Sequence, residues 1–203
     1  MFLTPKRTFV LLTVALLWTA GCSSPPGNPK VPAGAKSSGG LHAVIETDKG
    51  PIEVELLAKE SPKAVENFRL LAEHGYYDGL KFHRIIKGFM IQGGDPQGDG
   101  KGGESAWGGT FDDDIDTNAP LYRGGYVRGM LAMANRGANT NGSQFFIMHQ
   151  DFKLPPQYVI FARVIHGLEI VDALAETPTT RGEDGQMSQP LTPPIIKTIR
   201  ITP

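Results

Sequence analysis

Apolar and polar residues alternate in the part of the chain that follows residue 41. Residues 42–47 (HAVIET) and 52–56 (IEVEL) alternate in this way on either side of the short sequence DKGP. A period of two sends successive side chains to opposite faces of a strand, and a short connection that contains Gly and Pro is typical of a turn. The pattern predicts an antiparallel β-hairpin.

The period changes to that of a helix in residues 61–74. Ser61 stands where a helix N-cap is expected, and Pro62 would occupy the first helical position. Four apolar residues then recur at helical spacing and predict one buried face: Val65, Phe68, Leu71 and Ala72. A second helix is predicted at residues 168–175.

Five more segments have the composition of strands: residues 82–92, 129–134, 144–149, 159–164 and 195–201. Many short strands with two helices predict a mainly β fold. We expect a closed or nearly closed antiparallel barrel, since closure removes the exposed edges of a sheet.

Residues 1–21 have the pattern of an export signal. Two basic residues precede an apolar run at residues 9–18, and small residues then lead to Cys22. The run is too short to span a bilayer comfortably, so cleavage is expected rather than anchoring by a helix. The sequence TAGC resembles a bacterial lipobox, with Thr19 where Leu is usual. Lipidation of Cys22 and a plain secretory signal therefore both remain open.

Pro, Gly and Ser dominate residues 22–40, which have almost no large apolar side chain. As a flexible coil, this linker would hold its ends on the order of 20 to 25 Å apart. The predicted order is a signal peptide (1–21), a lipidated cysteine with a flexible linker (22–40) and one globular domain (41–203). We expect an exported protein that a lipid anchors to a membrane of the bacterial cell envelope.

The charge balance argues against a nucleic-acid partner. The 203 residues include 20 basic and 21 acidic side chains, and loss of Lys6 and Arg7 with the signal would leave 18 basic residues against 21 acidic. A nucleic-acid-binding surface requires a clustered basic excess, which is not found here.

Two long segments combine polar side chains with aromatic residues, Met and Gly. They are FHRIIKGFMIQGGD (residues 82–95) and MANRGANTNGSQFF (residues 133–146). If residues 82–86 form a strand, the Arg84 guanidinium lies on the same face as Phe82 and Ile86. Arg keeps five donors in a fixed fork and is not deprotonated, which suits a site that donates hydrogen bonds without exchanging protons.

These segments resemble the two signature segments of the cyclophilin-type peptidyl-prolyl cis/trans isomerases. The resemblance covers nearly all of the chain from residue 41 and includes three further segments: residues 100–103 (GKGG), 111–114 (FDDD) and 154–164. It implies an eight-stranded antiparallel β-barrel that is capped by two α-helices. Because side chains fill the interior of such a barrel, the active site is expected on its outer face.

The activity that the resemblance implies is rotation about the peptide bond before proline. No covalent bond changes in this reaction, so no nucleophile, metal or cofactor is expected. A dry site that points a cationic donor at the imide nitrogen favours the twisted state. Arg84 is the predicted catalytic donor, as its counterpart is in the family, and the alternative is a surface or ion-paired arginine.

The resemblance also implies an apolar hollow for the proline ring of a polypeptide substrate, formed by Phe89, Met90, Phe146 and Leu154. Taken singly, each of these residues is more often plain core. One rim departs from the best-known pattern, because Lys153 and Tyr158 stand where many eukaryotic members carry Trp and His. This departure puts tight binding of cyclosporin in doubt, but not the isomerase chemistry.

The polar wall of the predicted groove consists of four residues: Gln92, Ala134, Asn135 and Gln144. Gln92 would bind the substrate carbonyl, and the other three would engage the peptide backbone. Buried amide groups must be satisfied, so a structural hydrogen-bonding role for Gln92 and Gln144 stays open. The altered rim also keeps open a chaperone or surface module that binds proline segments with weak catalysis.

Other polar groups are assigned structural roles. His83 is predicted to be a buried, hydrogen-bonded support for the strand, because the reaction transfers no proton. The acids at residues 112–116 lack the spacing of a calcium loop and are predicted to form a solvated loop. The glycines at residues 98–103 predict a turn-rich loop beside the groove, and a monomer is expected.

Overall fold

The computed structural model describes residues 40–203, so the predicted signal peptide, Cys22 and nearly all of the linker lie outside the described residues. The predicted hairpin is confirmed as β1 (His42–Thr47) and β2 (Gly50–Leu56), which pair antiparallel with Ile45 opposite Ile52. Thr47 stabilises the turn, because its hydroxyl accepts a hydrogen bond from the Lys49 amide at 3.1 Å and donates one to the Gly50 carbonyl at 2.7 Å.

The remaining elements, in chain order, are α1 (Pro62–Glu73), β3 (Arg84–Ile86), β4 (Met90–Gly93), α2 (Pro120–Arg123), β5 (Met130–Met133), β6 (Phe145–Met148), β7 (Ile160–His166), α3 (Leu168–Ala175), β8 (Thr179–Arg181), β9 (Met187–Pro190) and β10 (Ile196–Thr202). Eight strands form one antiparallel sheet in the order β10-β1-β2-β7-β5-β6-β4-β3. The mainly β, eight-stranded antiparallel fold is therefore confirmed. The sequence did not predict α2 or the separate two-stranded sheet of β8 and β9.

The sheet curls so that its two ends approach each other. The segment before β3 contacts the start of β10, where Lys81 and Ile195 form an isolated antiparallel bridge. Two backbone hydrogen bonds flank this bridge, from the Phe82 amide to the Pro194 carbonyl at 2.9 Å and from the Ile196 amide to the Leu80 carbonyl at 2.8 Å. The curled sheet is therefore closed by this bridge and its two flanking hydrogen bonds rather than by a full pair of strands.

The prediction of one strand over residues 82–92 is wrong, because a tight turn divides it into β3 and β4. Gly88 has a φ of +85°, and the Phe89 amide donates to the Ile86 carbonyl at 2.9 Å. Only Gly adopts such a φ without a steric cost, so the chain reverses at this residue. Phe82 precedes β3 and is fully buried in the sheet interior, so it does not share the face of Arg84.

The two predicted helices are confirmed as α1 and α3. All four residues of the predicted apolar face of α1 are buried: Val65, Phe68, Leu71 and Ala72. Pro62 opens the helix as expected, but Ser61 makes no side-chain cap. Its hydroxyl instead donates to the buried carbonyl of Ile160 at 2.6 Å, which joins the start of α1 to β7.

Apolar residues cover both faces of the sheet. The larger cluster fills the interior, where Phe68 of α1 packs on Tyr77, Phe145 and Phe161 with ring centroids 5.0–5.6 Å apart. A second cluster forms on the outer face around Met90, Phe146 and other residues of β4, β5 and β6. A packed interior leaves the outer face as the place for a binding site.

Within residues 40–203, no helix has both the length and the apolar character needed to cross a membrane.

Candidate active site

Strand register determines which side chains meet on the outer face. Arg84 of β3 lies opposite Gln92 of β4, and Gln92 lies opposite Phe146 of β6. Directly paired residues of antiparallel strands point to the same face. The intervening pair, Ile85 and Ile91, points inward and is fully buried. The pleat therefore brings the predicted donor, one predicted amide and one predicted hollow residue side by side.

Arg84 lies beside the outer apolar cluster, with 29% of its side chain exposed. Its Nη1 approaches the Sδ of Met90 at 3.8 Å, and its Nε donates to Oδ2 of Asp184 at 2.9 Å. The structure thus contains both features considered from the sequence: an arginine next to an apolar hollow, and an arginine in an ion pair. The hydrogen bond to the carboxylate uses Nε, while Nη1 contacts the Met90 sulfur.

The residues predicted for the proline hollow meet in one cluster. Met90 and Phe146 are buried at its base, and three partly buried side chains pack against them: Phe89, Leu154 and Tyr158. Tyr158 contacts Phe146 edge to face, with ring centroids 5.4 Å apart and planes at 86°. The tyrosine that replaces the usual histidine therefore forms an aromatic wall of the hollow.

Two aromatic residues of this region were not predicted. Phe152 packs on Phe89 with centroids 4.6 Å apart and is 45% exposed, so it extends the apolar rim. Tyr126 lies below Tyr158, accepting from the Tyr158 amide at 3.0 Å and donating to its carbonyl at 2.9 Å. Burial raises the pKa of Tyr126 to about 12, so it stays neutral and holds the Tyr158 backbone. No local sequence pattern distinguishes either residue from ordinary core.

The predicted polar wall is a chain of amide hydrogen bonds. Gln92 Nε2 donates to Gln144 Oε1 at 2.9 Å, and Gln144 Nε2 donates to the Gly102 carbonyl at 2.9 Å. Asn135 is also engaged, because its Nδ2 donates to the Gln157 carbonyl at 2.8 Å. All three amide groups therefore make a structural hydrogen bond through one N–H, and the second N–H of Gln92 is the candidate donor to a substrate carbonyl.

Two adjoining cavities lie along this wall. One, of about 200 Å³, is lined by Ala134, Asn135, Gln144 and the glycine loop. The other, of about 330 Å³, is lined by Arg84, His83 and Asp184. Gln92 and Gly100 line both cavities. An extended polypeptide could follow the groove past the guanidinium.

The prediction that His83 is hydrogen-bonded is wrong. Both ring nitrogens are buried, and neither has a hydrogen-bond partner among the described residues. Burial lowers the pKa of His83, although the nearby Asp95 opposes the shift. The Asp95 carboxylate is already occupied by the backbone N–H groups of Gln97, Asp99 and Gly100, at 2.7–3.1 Å. Those contacts shape the glycine loop and leave His83 unpartnered.

One residue of the predicted acidic loop, Asp113, also makes structural hydrogen bonds and is half-buried. Asp113 accepts hydrogen bonds from the Asn141 side chain at 2.8 Å and from the Asn139 amide at 3.0 Å. Asn139 in turn accepts from the Asp113 amide at 2.9 Å, and it has a φ of +61°. The acid holds the turn of the second signature segment in place, whereas its neighbour Asp112 is exposed.

An arginine beside an aromatic hollow, on the outer face of a curled eight-stranded antiparallel sheet, is the arrangement expected for an enzyme that rotates prolyl peptide bonds. The sequence profile of the family described as "Cyclophilin type peptidyl-prolyl cis-trans isomerase/CLD" matches residues 42–201. The chain belongs to this family, and it is a peptidyl-prolyl cis-trans isomerase.

Similar proteins of other organisms agree with this assignment. The chain is 49% identical over 144 residues to peptidyl-prolyl cis-trans isomerase CYP18-1 of Arabidopsis thaliana, a match that covers 70% of this chain and 88% of that protein. It is 45% identical over 139 residues to the human peptidyl-prolyl cis-trans isomerase-like 3, covering 68% and 84% of the two chains.

A solved structure shares the fold. The crystal structure of a cyclophilin type peptidyl-prolyl cis-trans isomerase from Cryptosporidium parvum superposes with a TM-score of 0.73 and 42% identity, covering 81% of this chain and 98% of that one. The same Cryptosporidium protein was also crystallised in the presence of the dipeptide Ala-Pro, and that structure superposes with a TM-score of 0.71.

Proposed function

We propose that Arg84 is the catalytic donor and that the enzyme isomerises X-Pro bonds of exported polypeptides from a lipid anchor on Cys22. The observation that carries the catalytic part is the position of the guanidinium, on the same outer face as the hollow and in contact with Met90. The anchor and the export rest on the sequence of residues 1–40.

The reaction requires preferential binding of a twisted amide. The barrier to rotation is about 18–20 kcal/mol, and an acceleration of about 10⁵ requires roughly 7 kcal/mol of differential stabilisation. Twisting localises a lone pair on the imide nitrogen, to which an Nη–H of Arg84 donates. Water stabilises the planar amide, so a hollow that excludes water favours the twisted form as well.

The remaining residues hold the substrate in this position. Met90, Phe146, Leu154 and Tyr158 belong to one apolar cluster on the outer face, which suits the rigid and apolar proline side chain. The free N–H of Gln92 binds the substrate carbonyl. The Ala-Pro dipeptide used with the Cryptosporidium relative supports a proline-containing ligand for this groove.

Exchange spectroscopy on an Ala-Pro peptide tests the catalytic part. The parent enzyme should accelerate exchange between the cis and trans signals, whereas a module that only binds would saturate without accelerating it. Arg84→Ala should lower kcat/KM at least about tenfold, which corresponds to 1.4 kcal/mol of lost transition-state stabilisation. An Arg84→Ala variant as active as the parent, with an unchanged fold, would refute the role of Arg84.

The pH dependence of turnover gives an independent test of the mechanism. No proton is transferred, and no group assigned to the reaction needs to titrate near neutrality. Turnover should therefore be nearly constant from about pH 6 to 9. A bell-shaped profile centred near the pKa of a histidine would contradict rotation without acid or base.

Residues 1–40 support export and anchoring. Lys6 and Arg7 precede an apolar run, a lipobox-like TAGC ends at Cys22, and the linker is long enough to hold the domain clear of a membrane. In a folding role, the enzyme would accelerate prolyl isomerisation in envelope proteins after export.

The mass of the mature amino terminus tests the anchor. A lipidated chain should begin at Cys22 with diacylglycerol on the sulfur and should sediment with membranes. Cys22→Ser should release the protein into the soluble fraction, and Ser23→Ala serves as the control that stays with the membrane. A mature chain with an unmodified Cys22, or cleavage elsewhere, would overturn the anchor and leave the isomerase activity unaffected.

A further inference from the structure

A hairpin outside the main sheet reaches the candidate active site. Strands β8 and β9 pair with each other, with Thr180 opposite Gln189. Strand β9 packs against β3, and the hairpin turn at residues 182–186 lines the cavity that contains Arg84. The turn has the sequence GEDGQ, so it carries two acidic side chains at its tip.

Only one of these acids contacts the guanidinium. Asp184 Oδ2 accepts from Arg84 Nε at 2.9 Å, and the two side chains are 28% and 29% exposed. Glu183 pairs instead with Lys101 at 3.0 Å, and that pair is 82% and 61% exposed. Ion pairs in open solvent contribute little, so the Asp184 contact is the stronger constraint.

The carboxylate of Asp184 is itself held in one orientation. Its Oδ1 accepts from Ser188 Oγ at 2.8 Å and from the Gln186 amide at 2.9 Å, which leaves Oδ2 for Arg84. Gly182 makes room for this arrangement, because a Cβ at that position would lie 2.6 Å from Ser188 Oγ. Burial tends to raise the pKa of Asp184, but the hydrogen bonds from Gln186, Ser188 and Arg84 outweigh it and lower the pKa.

The hydrogen bond at Nε restricts the orientation of the whole Arg84 guanidinium. A guanidinium is planar, so a hydrogen bond at Nε fixes the direction in which both Nη atoms point. The contact of Nη1 with Met90 Sδ shows that this direction is toward the base of the hollow. Without the carboxylate, a long and partly exposed arginine would sample several rotamers.

We propose that Asp184 is a positioning residue, which holds the Arg84 guanidinium toward the proline hollow from a hairpin outside the main sheet. This inference rests on the catalytic role proposed for Arg84. The carboxylate does not touch the substrate. It reduces the number of orientations that Arg84 adopts before the peptide binds, and a preorganised donor stabilises the transition state most effectively.

The test is a double-mutant cycle on Arg84 and Asp184 with the Ala-Pro exchange assay. Asp184→Ala should lower kcat about five- to tenfold with KM changed less than about twofold, because the hollow that binds proline is intact. In the Arg84→Ala background, Asp184→Ala should change the residual rate by less than about twofold. Asp184→Asn keeps the side-chain volume and one acceptor, so it should retain more activity than Asp184→Ala and serves as the second variant if Asp184→Ala does not fold.

A matched control is available in the main sheet. Glu55 pairs with Arg163 at 2.7 Å and is 32% exposed, and strands β5, β6 and β4 lie between this pair and β3. Glu55→Gln therefore removes an ion pair of similar length away from the groove, in which the carboxylate has a similar exposure and the arginine is 61% exposed. Its kcat and KM should match those of the parent.

Each of the other possible results would overturn one of the two proposed roles, that of Arg84 or that of Asp184. If Arg84→Ala is as active as the parent, the proposed role of Arg84 fails and the inference fails with it. If Arg84→Ala is impaired but Asp184→Ala and Asp184→Asn are not, only the positioning role fails. An equal loss from Asp184→Ala with and without Arg84 would indicate a purely structural role of the hairpin. A rise in kcat would indicate that Asp184 competes with the substrate for the guanidinium.

Discussion

Arg84 and His83 are adjacent in sequence at the start of β3, but their electrostatic surroundings differ. Arg84 is charged and has a carboxylate partner at 2.9 Å, whereas His83 is buried with both ring nitrogens unpartnered among the described residues. A buried group without a partner favours its neutral form. Arg84 therefore brings one positive charge to the groove, and the neighbouring imidazole favours its neutral form.

The lowered pKa of His83 predicts a pH-dependent stability. In the unfolded chain, the His83 imidazole binds a proton at pH values below its ordinary pKa of about 6.5. In the folded state, burial opposes this protonation and lowers the pKa. The unfolded state then binds more protons, so the free energy of unfolding should fall as the pH drops from about 7 to 5. The slope should approach but not exceed about 1.4 kcal/mol per pH unit.

Urea denaturation of the parent and of His83→Phe at several pH values measures this effect. His83→Phe removes the titrating ring and should flatten the stability between pH 5 and 7, while His166→Gln, at an exposed position of β7, should keep the parental slope. A parental slope that persists in His83→Phe would assign the pH dependence to another group.

Among the elements, α1 is joined to the sheet by a hydrogen bond from its N-cap residue, although that residue does not cap the helix. Ser61 is fully buried at the N-cap position, yet its hydroxyl donates to the Ile160 carbonyl of β7 rather than to the helix amides. Asn67, also fully buried in α1, accepts from the Ala106 amide and donates to the Gly142 carbonyl. These bonds join the helix to β7 and to the second signature segment.

Ser61→Ala should therefore reduce stability through β7 rather than through the helix. It leaves a buried carbonyl without its hydroxyl donor, and such a loss costs about 1–3 kcal/mol. The measurement is the free energy of unfolding in urea, with the helix content of the folded state read by circular dichroism. We expect a lower denaturation midpoint and an unchanged native spectrum.

A matched variant is Ser188→Ala, which removes a serine hydrogen bond of similar length from the β8–β9 hairpin. It should leave global stability nearly unchanged, because the hairpin lies outside the main sheet. A Ser61→Ala variant that is as stable as Ser188→Ala would show that the bond to Ile160 contributes nothing net.

In the whole domain, the two faces of one sheet have different roles. The interior face stabilises the fold, and the outer face forms the candidate site. The interior cluster combines α1, α3 and the inward side chains of the strands, while the outer cluster around Met90 and Phe146 forms the hollow. The described domain therefore has a hydrophobic core of its own beside the candidate groove.

A chain of residues 40–203, produced without residues 1–39, should fold and isomerise Ala-Pro peptides. Its kcat/KM should agree with that of the full-length chain within about twofold, since a domain with its own core can fold alone. Denaturation midpoints of the two forms provide the structural comparison. A large loss of activity would show that residues 1–39 contribute to the groove.

Local patterns in the sequence were sufficient for the first hairpin and for the two longer helices. The hairpin of β1 and β2, helix α1 and the helix at α3 follow from short-range periodicity, since each pattern is complete within a few turns or one pleated strand. The matched order of the signature segments selected the hollow residues, which single positions could not distinguish from core.

The local patterns in the sequence did not predict the contacts between distant residues. Arg84 and Asp184 are separated by 100 residues, and nothing in the sequence GEDGQ indicates that its second acid faces an arginine. The division of residues 82–92 by Gly88 and the unpartnered ring of His83 likewise depend on which groups the packed chain places nearby. Periodicity specifies the face on which a side chain lies, but the partner that it meets there is set by the packing of distant segments.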